Sequence, residues 1–396
     1  MQFADRLQHV ETSAIRELFK LLGKPGIISF AGGFPDSAMF DVDGIRAASE
    51  RALTEEPGAA LQYGATEGYQ PLREQLSAFM ASKGAPDVAP EQLIVTTGSQ
   101  QALDLLGKTM IGPGDKVIVE GPTFLATIQC FRLYGAEVIS APIDSDGVKV
   151  DELEKLIAEH RPKLVYLIPT FGNPSGATLS LARRKKVLEL AVKYQTLLVE
   201  DDPYGDLYFG EAPPPSLLAL SREVPGSRDW LAHCGSLSKV LSPGLRIGWL
   251  IAPPELLANA VMCKQFSDAH TSTFAQATAA QYLKAGRMPA TLANVRAVYA
   301  ERAQTLCDAL RQELGGAVEF VQPQGGLFVW LRLTGAGGKL QDANALAKAA
   351  IEKGVAFVPG SPFFAQHPDP ATLRLSFATA DIAKIREGVT RLAQAL

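Results

Sequence analysis

The chain has 396 residues, 47% of them apolar, enough for a full core in two domains or in one large α/β domain with an appendage. A formal net charge of -4 and the lack of any long basic cluster argue against nucleic-acid binding, and no run of about 18 apolar residues offers a membrane span. Cys130, Cys234, Cys263 and Cys307 are too far apart for a CxxC pair, so neither a zinc site nor a disulfide scaffold is expected.

Thr12 and Ser13 can cap a short helix in which Ile15, Leu18, Phe19 and Leu22 recur at amphipathic spacing. Arg16 sits beside that stripe, where an arginine snorkelling over the core edge is the plainer reading. The segment carries charges throughout, unlike a secretory leader, and with the isolated thiols it points to a soluble, cytoplasmic protein. Residues 27–35, IISFAGGFP, form an extended apolar run; Gly32 and Gly33 in it allow close backbone approach to a ligand, or simply a turn. QYGATEGYQPL at 62–72 is a glycine-punctuated loop whose Tyr63 and Tyr69 are of a kind that touches ligands or a neighbouring subunit. A helix is expected over 71–83.

From there the pattern becomes regular. Short apolar runs at 93–97, 116–120, 136–143, 164–169, 197–201, 231–235 and 246–251 imply strands buried on both faces. Helical spacing between most of them, as at 101–110 and 180–194, makes the repeat βα and predicts an α/β fold with a mostly parallel seven-stranded sheet. Ligands of such sheets sit at the carboxyl ends of the strands, and the polar motifs fall there. After the first run, GSQQ leads into a helix, so Ser99 and Gln100 either help an exposed helix N-terminus hold an anion or mark an ordinary cap by Ser99. After the second, GPTF puts Phe124 at the sheet edge, able to stack on a planar ring or to fill core. After the fourth, NPSG places the Asn173 amide in a turn, where it can donate to an oxygen. After the fifth, EDDPY offers Asp201 for a pyridinium nitrogen and Tyr204 for the same ring; a metal site from these acids is less favoured, because the five histidines are scattered.

The least ordinary stretch is GSLSKVLSPGLRIGW at 235–249, which holds Lys239 among Ser236, Ser238, Arg246 and apolar neighbours. Lost hydration lowers the pKa of such an amine and frees it as a nucleophile toward carbonyls, while the hydroxyls and the guanidinium suit a phosphate monoester. An amine beside a phosphate clamp suggests pyridoxal 5'-phosphate, whose other needs the preceding motifs can supply. Beyond 252 the chain turns helical, with a long helix over 291–314. An α+β segment follows, with strands at 318–321, 325–331, 355–358 and 373–377 and helices at 342–353 and 381–395. The expected division is an arm and helix at 1–44 packing with the small domain, a large cofactor-binding domain at 45–288 and a small domain at 289–396. Arg374, inside the last strand, needs an anion: a substrate carboxylate or a structural salt bridge.

GSQQ, PTF, NPSG, DDPY and SLSK with its arginine occur in an order that resembles the class I and II aminotransferases among the fold type I pyridoxal phosphate enzymes, over essentially the whole chain. The phrases ISFAGGFP, QYGATEGY, TTGSQQALDL, EDDPYGDLYF and FVPGSPFF look most like the subgroup of 2-aminoadipate aminotransferase, kynurenine aminotransferase II and the aminotransferase-like domains of MocR regulators. The resemblance implies that Lys239 holds the cofactor covalently and moves a proton between Cα and C4′, that Asp201 pairs with the pyridine nitrogen, and that Asn173 and Tyr204 bond the ring oxygen. Phe124 would stack on the ring. Ser99, Gln100, Ser236, Ser238 and Arg246 would hold the phosphate, joined by Tyr63 from the other subunit of a homodimer. Arg374, with Asn173 and Gly33, would meet the substrate, and Arg16 resembles an arginine that reads a distal carboxylate in 2-aminoadipate-type members. The interval from Lys239 to Arg246 is one residue shorter than in aspartate aminotransferases, and Phe124 stands where they carry tryptophan or tyrosine; both departures suit the subgroup.

The implied activity is ping-pong transfer of an amino group from an L-amino acid (2-aminoadipate, glutamate, aromatic or branched-chain) to a 2-oxo acid. The rivals are decarboxylation or β-elimination on the same site, and a ligand-sensing domain of a transcription regulator. The latter needs a DNA-binding module ahead of an aminotransferase-like sequence that begins here by about Glu11.

Overall fold

The computed structural model describes residues 1, 3–7, 26–338 and 341–396. Arg16, with the Thr12 and Ser13 caps and the helix expected around them, lies outside the described residues.

The short strand β1 (Ile28–Ser29) precedes β2 (Leu93–Thr97), β3 (Lys116–Gly121), β4 (Glu137–Asp144), β5 (Gly147–Val148), β6 (Leu164–Leu167), β7 (Leu197–Asp202), β8 (Leu231–Ser236) and β9 (Ile247–Ile251). From β2 onward these strands form one sheet in the order β2-β9-β8-β7-β6-β3-β4-β5. The sheet thus has eight strands where seven were expected. The extra one, β5, is two residues hairpinned onto β4 and too short to leave an apolar run. The β6 and β9 segments are buried along their whole length, and so is β7, even though it ends in three acids. The expected strand over 164–169 stops at Leu167, because Glu120 Oε2 takes the Ile168 N–H at 2.8 Å and Pro169 has none to offer.

The helices Ser99–Met110, Leu125–Leu133, Val150–His160 and Leu181–Tyr194 carry the chain between parallel strands. β3, β4, β6, β7 and β8 run parallel to one another, whereas β9 runs antiparallel to both β8 and β2 and β5 antiparallel to β4. The carboxyl ends of β2, β3, β6, β7 and β8 and the amino end of β9 therefore share one edge. Gly98, at a φ of 76°, is the cap of the first crossover helix, so Ser99 is its first helical residue and not its cap.

A four-stranded antiparallel sheet follows, built from β10 (Val318–Phe320), β11 (Phe328–Leu333), β13 (Val358–Pro359) and β14 (Thr372–Ser376) in the order β10-β11-β14-β13. The run at 355–358 splits, because β12 (Val355–Ala356) pairs in parallel with β1 while β13 turns onto β14. Backbone bonds from Phe30 N to Ala356 O and from Ser376 N to Phe30 O, both 2.7 Å, stitch the segment after β1 into this C-terminal part. The long helix Met288–Glu313 packs against Ile382–Ala393 beside it. No helix among the described residues is long and apolar enough to cross a membrane.

Candidate functional site

At the shared sheet edge lies a cavity of about 410 Å³. Its walls bring together Gly33, Ser99, Gln100, Phe124, Asn173, Asp201, Tyr204, Ser236, Ser238, Lys239, Arg246 and Arg374. Positions as far apart as Gly33 and Arg374 thus meet: most follow strands that end at this edge, Arg246 precedes β9, and Gly33 and Arg374 come from the segment after β1 and from β14.

Lys239 sits in the turn after β8 and donates from Nζ to Gly33 O at 2.8 Å. Burial, together with the Arg374 and Arg246 cations, pulls its pKa from 10.5 down to about 8. About a tenth of it is therefore free amine at pH 7 and about half at pH 8.

Asp201, at the end of β7, is buried and accepts from the Tyr166 hydroxyl at 2.7 Å through Oδ2. Its Oδ1 is buried with no hydrogen-bond partner. Burial lifts this carboxyl to about 6, while the Tyr166 hydroxyl works in the opposite direction. A buried, half-satisfied carboxylate is costly unless a cation or donor completes it.

Arg374, in the middle of β14, donates from Nη1 to Asn173 Oδ1 at 2.7 Å and from Nη2 to Ala31 O at 2.8 Å. Its guanidinium lies 4.2 Å from the Phe328 ring centroid and 5.0 Å from that of Phe363, and its buried Nε has no partner. Burial lowers its pKa to about 10. Among the described residues no carboxylate forms an ion pair with it, so the salt-bridge alternative does not hold there and the charge remains available to an anion. Because Arg374 engages the Asn173 carbonyl oxygen, the Asn173 amide nitrogen is left to donate elsewhere. Tyr204 is buried edge-on to Phe328, 5.9 Å between centroids, with its pKa raised by that burial.

The opposite end of the cavity is basic and rich in hydroxyls. Arg246 adopts a left-handed conformation (φ 55°) and donates to Thr97 O at 3.2 Å and to Ser238 Oγ at 3.4 Å. Two glycines let these elements close together. A Cβ on Gly98 would fall 2.2 Å from Arg246 Nη2, and one on Gly248 would fall 2.5 Å from the Gly98 carbonyl carbon and the Ser99 nitrogen. An amine, a carboxylate with an unpartnered oxygen, an uncompensated guanidinium and a helix N-terminus with hydroxyls form a donor set suited to a planar phosphorylated pyridine and a carboxylate-bearing substrate.

The family described as aminotransferase class I and II matches residues 27–392. The chain belongs to this family. A 2-aminoadipate transaminase of Thermus thermophilus is 44% identical over 98% of this chain and 94% of its own length. An aromatic-amino-acid aminotransferase of Thermococcus litoralis is 37% identical over 100% of this chain and 94% of its own. The crystal structure of the Thermus thermophilus alpha-aminoadipate aminotransferase, complexed with N-(5'-phosphopyridoxyl)-L-leucine, superimposes with a TM-score of 0.90 at 42% identity, covering 99% of this chain and 96% of that one. This aminotransferase therefore has the fold type I architecture and is an enzyme of pyridoxal phosphate-dependent amino transfer.

Among the described residues, one expected site residue stands apart from the cavity of this aminotransferase. Tyr63 is 86% exposed, with its ring edge-on to His270 at 5.7 Å, and does not line the cavity. Arg16 is outside the described residues. Other side chains at the site were missed. Tyr166 read as one more apolar position of β6, although a hydroxyl in a wholly buried strand demands a partner. Phe34 and Gln129 also line the cavity. Gln129 follows Leu125 and Ala126 by one helical turn, a spacing that puts all three on one face.

Proposed function

We propose that the cavity holds pyridoxal 5'-phosphate and that the enzyme moves the amino group of an L-amino acid to a 2-oxo acid in two ping-pong half-reactions. The observation that carries this reading is a desolvated lysine amine sharing one cavity with the unpartnered Asp201 Oδ1 and the uncompensated Arg374. When bound, the cofactor supplies an aldehyde for amines and a ring that draws electrons from the substrate Cα.

Lys239 would hold the cofactor through its amine and, when free, would act as the base and acid that moves the proton at substrate Cα; a pKa near 8 suits both directions of transfer. Asp201 keeps the ring nitrogen protonated through its open oxygen. Asn173 and Tyr204 donate to the ring oxygen. Ser99, Gln100, Ser236, Ser238 and Arg246 hold the phosphate, and Phe124 covers one ring face and excludes water. Arg374 takes the substrate α-carboxylate, with Asn173 and the Gly33 backbone beside it, and Arg16 reads a distal carboxylate.

Tyr63, Leu61 and Phe274 are exposed, and the helix Thr273–Lys284 that carries Phe274 packs against the helix Pro57–Leu61, so they mark one face. A second copy covering this face would place Tyr63 at the phosphate of the partner's cavity, and a homodimer with shared sites is the assembly proposed. The sheet of β2 to β9 lies within residues 45–288 and that of β10, β11, β13 and β14 within 289–396, in keeping with large and small domains at those boundaries and an arm at 1–44 joined to the small one through the β1–β12 pair. Four unpaired thiols suit a reducing cytoplasm.

The preferred donors are 2-aminoadipate or glutamate, with aromatic and branched-chain amino acids as alternatives. Single-turnover absorbance of the cofactor-loaded enzyme with each amino acid tests this, comparing wild type with Arg16→Ala. Rapid loss of the bound-cofactor band with the acidic substrates, selectively slowed in Arg16→Ala, is expected. Equal rates with 2-aminoadipate and glutamate in both proteins would remove Arg16 from specificity. No loss of the band with any amino acid would overturn transamination.

A further inference from the structure

Asp201 is followed by a second buried carboxylate on the opposite face of the strand. Successive strand residues point to opposite sides, and Asp202 lines a separate cavity of about 570 Å³ behind the first. Lys83, which caps the helix Gln70–Ser82, reaches into that second cavity. Its ammonium donates to Asp202 Oδ2 at 3.2 Å and to Asp206 Oδ2 at 3.1 Å. Asp202 Oδ1 in turn accepts from Gly205 N at 3.0 Å, closing the turn that carries Tyr204. The closure needs glycine, because a Cβ on Gly205 would lie 2.4 Å from that oxygen. From the other side, Arg296 of the helix Met288–Glu313 donates to Asp206 O at 2.6 Å and stacks on the Tyr208 ring at 3.7 Å.

The other ionisable groups around the two carboxylates already have structural tasks. Tyr166 of β6 bonds Asp201. His233 of β8 pairs with Glu200 of β7 at 2.8 Å, and Glu200 also accepts from Leu217 N and Leu218 N. Cys234 of β8 is buried opposite Asp201. Arg184 of the helix Leu181–Tyr194 donates to the Leu179 and Pro169 carbonyls. Lys83 is thus the cation in direct contact with Asp202. Burial alone would raise the Asp202 pKa, yet the Lys83 charge holds it low, so Asp202 is an anion one residue from the ring-nitrogen carboxylate.

We infer that Lys83 is a positioning residue of the active site: by clamping Asp202 and Asp206 it fixes the turn bearing Tyr204 and offsets the negative charge that Asp202 places behind Asp201. This rests on the reading that Asp201 pairs with the cofactor ring nitrogen. A purely structural clamp would change stability and leave the charge at the cofactor alone, whereas an electrostatic one must move the cofactor's own titration, with a sign set by the charge removed.

The test is a pH titration of the bound-cofactor absorbance, with cofactor affinity measured in parallel, on the holoenzyme and its variants. Lys83→Met leaves extra negative charge behind the site and should raise the apparent pKa of the chromophore by on the order of one unit. Asp202→Asn should lower it by a similar amount, and Lys83→Arg should restore the wild-type curve. Where Lys83→Met does not fold, Asp206→Asn, which keeps the Lys83–Asp202 pair, should give a smaller downward displacement. Unchanged curves in these charge variants, or displacements of the same sign in Lys83→Met and Asp202→Asn, overturn the inference while Asp201→Asn still alters the titration. An Asp201→Asn titration that matches wild type overturns the reading of the site, and this inference with it.

Discussion

Tyr166→Phe removes one oxygen from the core and nothing else: the ring keeps its edge contact with Phe131, 6.1 Å between centroids. What is lost is the 2.7 Å bond to Asp201. A hydrogen bond to a charged group contributes about 1.5–3 kcal/mol, which corresponds to roughly one to two pH units on the carboxylate. Asp201 stands near 6 because burial lifts it and Tyr166 restrains it, so in the variant it should titrate between about 7 and 8. The sign follows directly. A protonated Asp201 offers no anion to the ring nitrogen, so cofactor affinity should fall below about pH 6 in the wild type and already below about pH 7 to 8 in the variant. Equilibrium binding to the apoenzyme, followed by fluorescence from pH 5 to 9, reads this out. Lys239 titrates in both proteins and cancels from the ratio of their affinities. The expected ratio is roughly 2- to 10-fold near pH 7, grows at lower pH and shrinks toward pH 9. A ratio independent of pH would refute the link between Tyr166 and the charge on Asp201.

Replacing Arg374 by leucine removes a cation that helps depress Lys239, so the pH midpoint for covalent cofactor attachment, about 8 in the wild type, should move upward; reductive trapping across a pH series and mass spectrometry measure it. Gly248→Ala drives a methyl group into the backbone at Gly98 and Ser99, and overpacking of about 1–3 kcal/mol at that point should weaken phosphate binding roughly 5- to 150-fold while the far end of the cavity keeps its geometry. Inorganic phosphate competition against the cofactor would show the loss. Glu120 is buried with its pKa lifted from 4.5 to about 8 by desolvation, so the folded state binds its proton more tightly than the unfolded chain does. The Glu120 contribution to stability should therefore be greatest below about 4.5 and decline as pH rises to about 8. Glu120→Gln abolishes that slope, and its Tm advantage over wild type should be larger at pH 8 than at pH 5.

The architecture was legible where burial acts on whole segments. β6 and β9 announce themselves because a strand covered on both faces has no polar side to show. What escaped detection depends on single long-range contacts. Pro169 alone accounts for the last residue that 164–169 loses as strand, whereas the loss of Ile168 is set by a carboxylate on the neighbouring β3. The same holds for the site. Lys239 betrays itself by being a lysine in apolar company, and the motif order points to Asp201 and Asn173, whereas Tyr166 matters only through a residue 35 positions away. Lys83 read as the end of a helix, because its carboxylate partners lie 119 and 123 positions further on. Arg374 was open between two anions until its surroundings showed aromatic rings and an amide.

The reversed strand β9 also has a consequence for biosynthesis. β2 is an edge strand whose one partner in the sheet is β9, and the Thr97 carbonyl that receives Arg246 is made 149 residues earlier. During translation β2 must wait, unpaired and apolar, until the chain has passed Ile251. The proposed phosphate cradle comes into being only when that last strand slides between β2 and β8. Cofactor capture by a nascent chain would then report that the sheet has closed, and chains ended before β9 should remain dependent on chaperones and unable to retain cofactor.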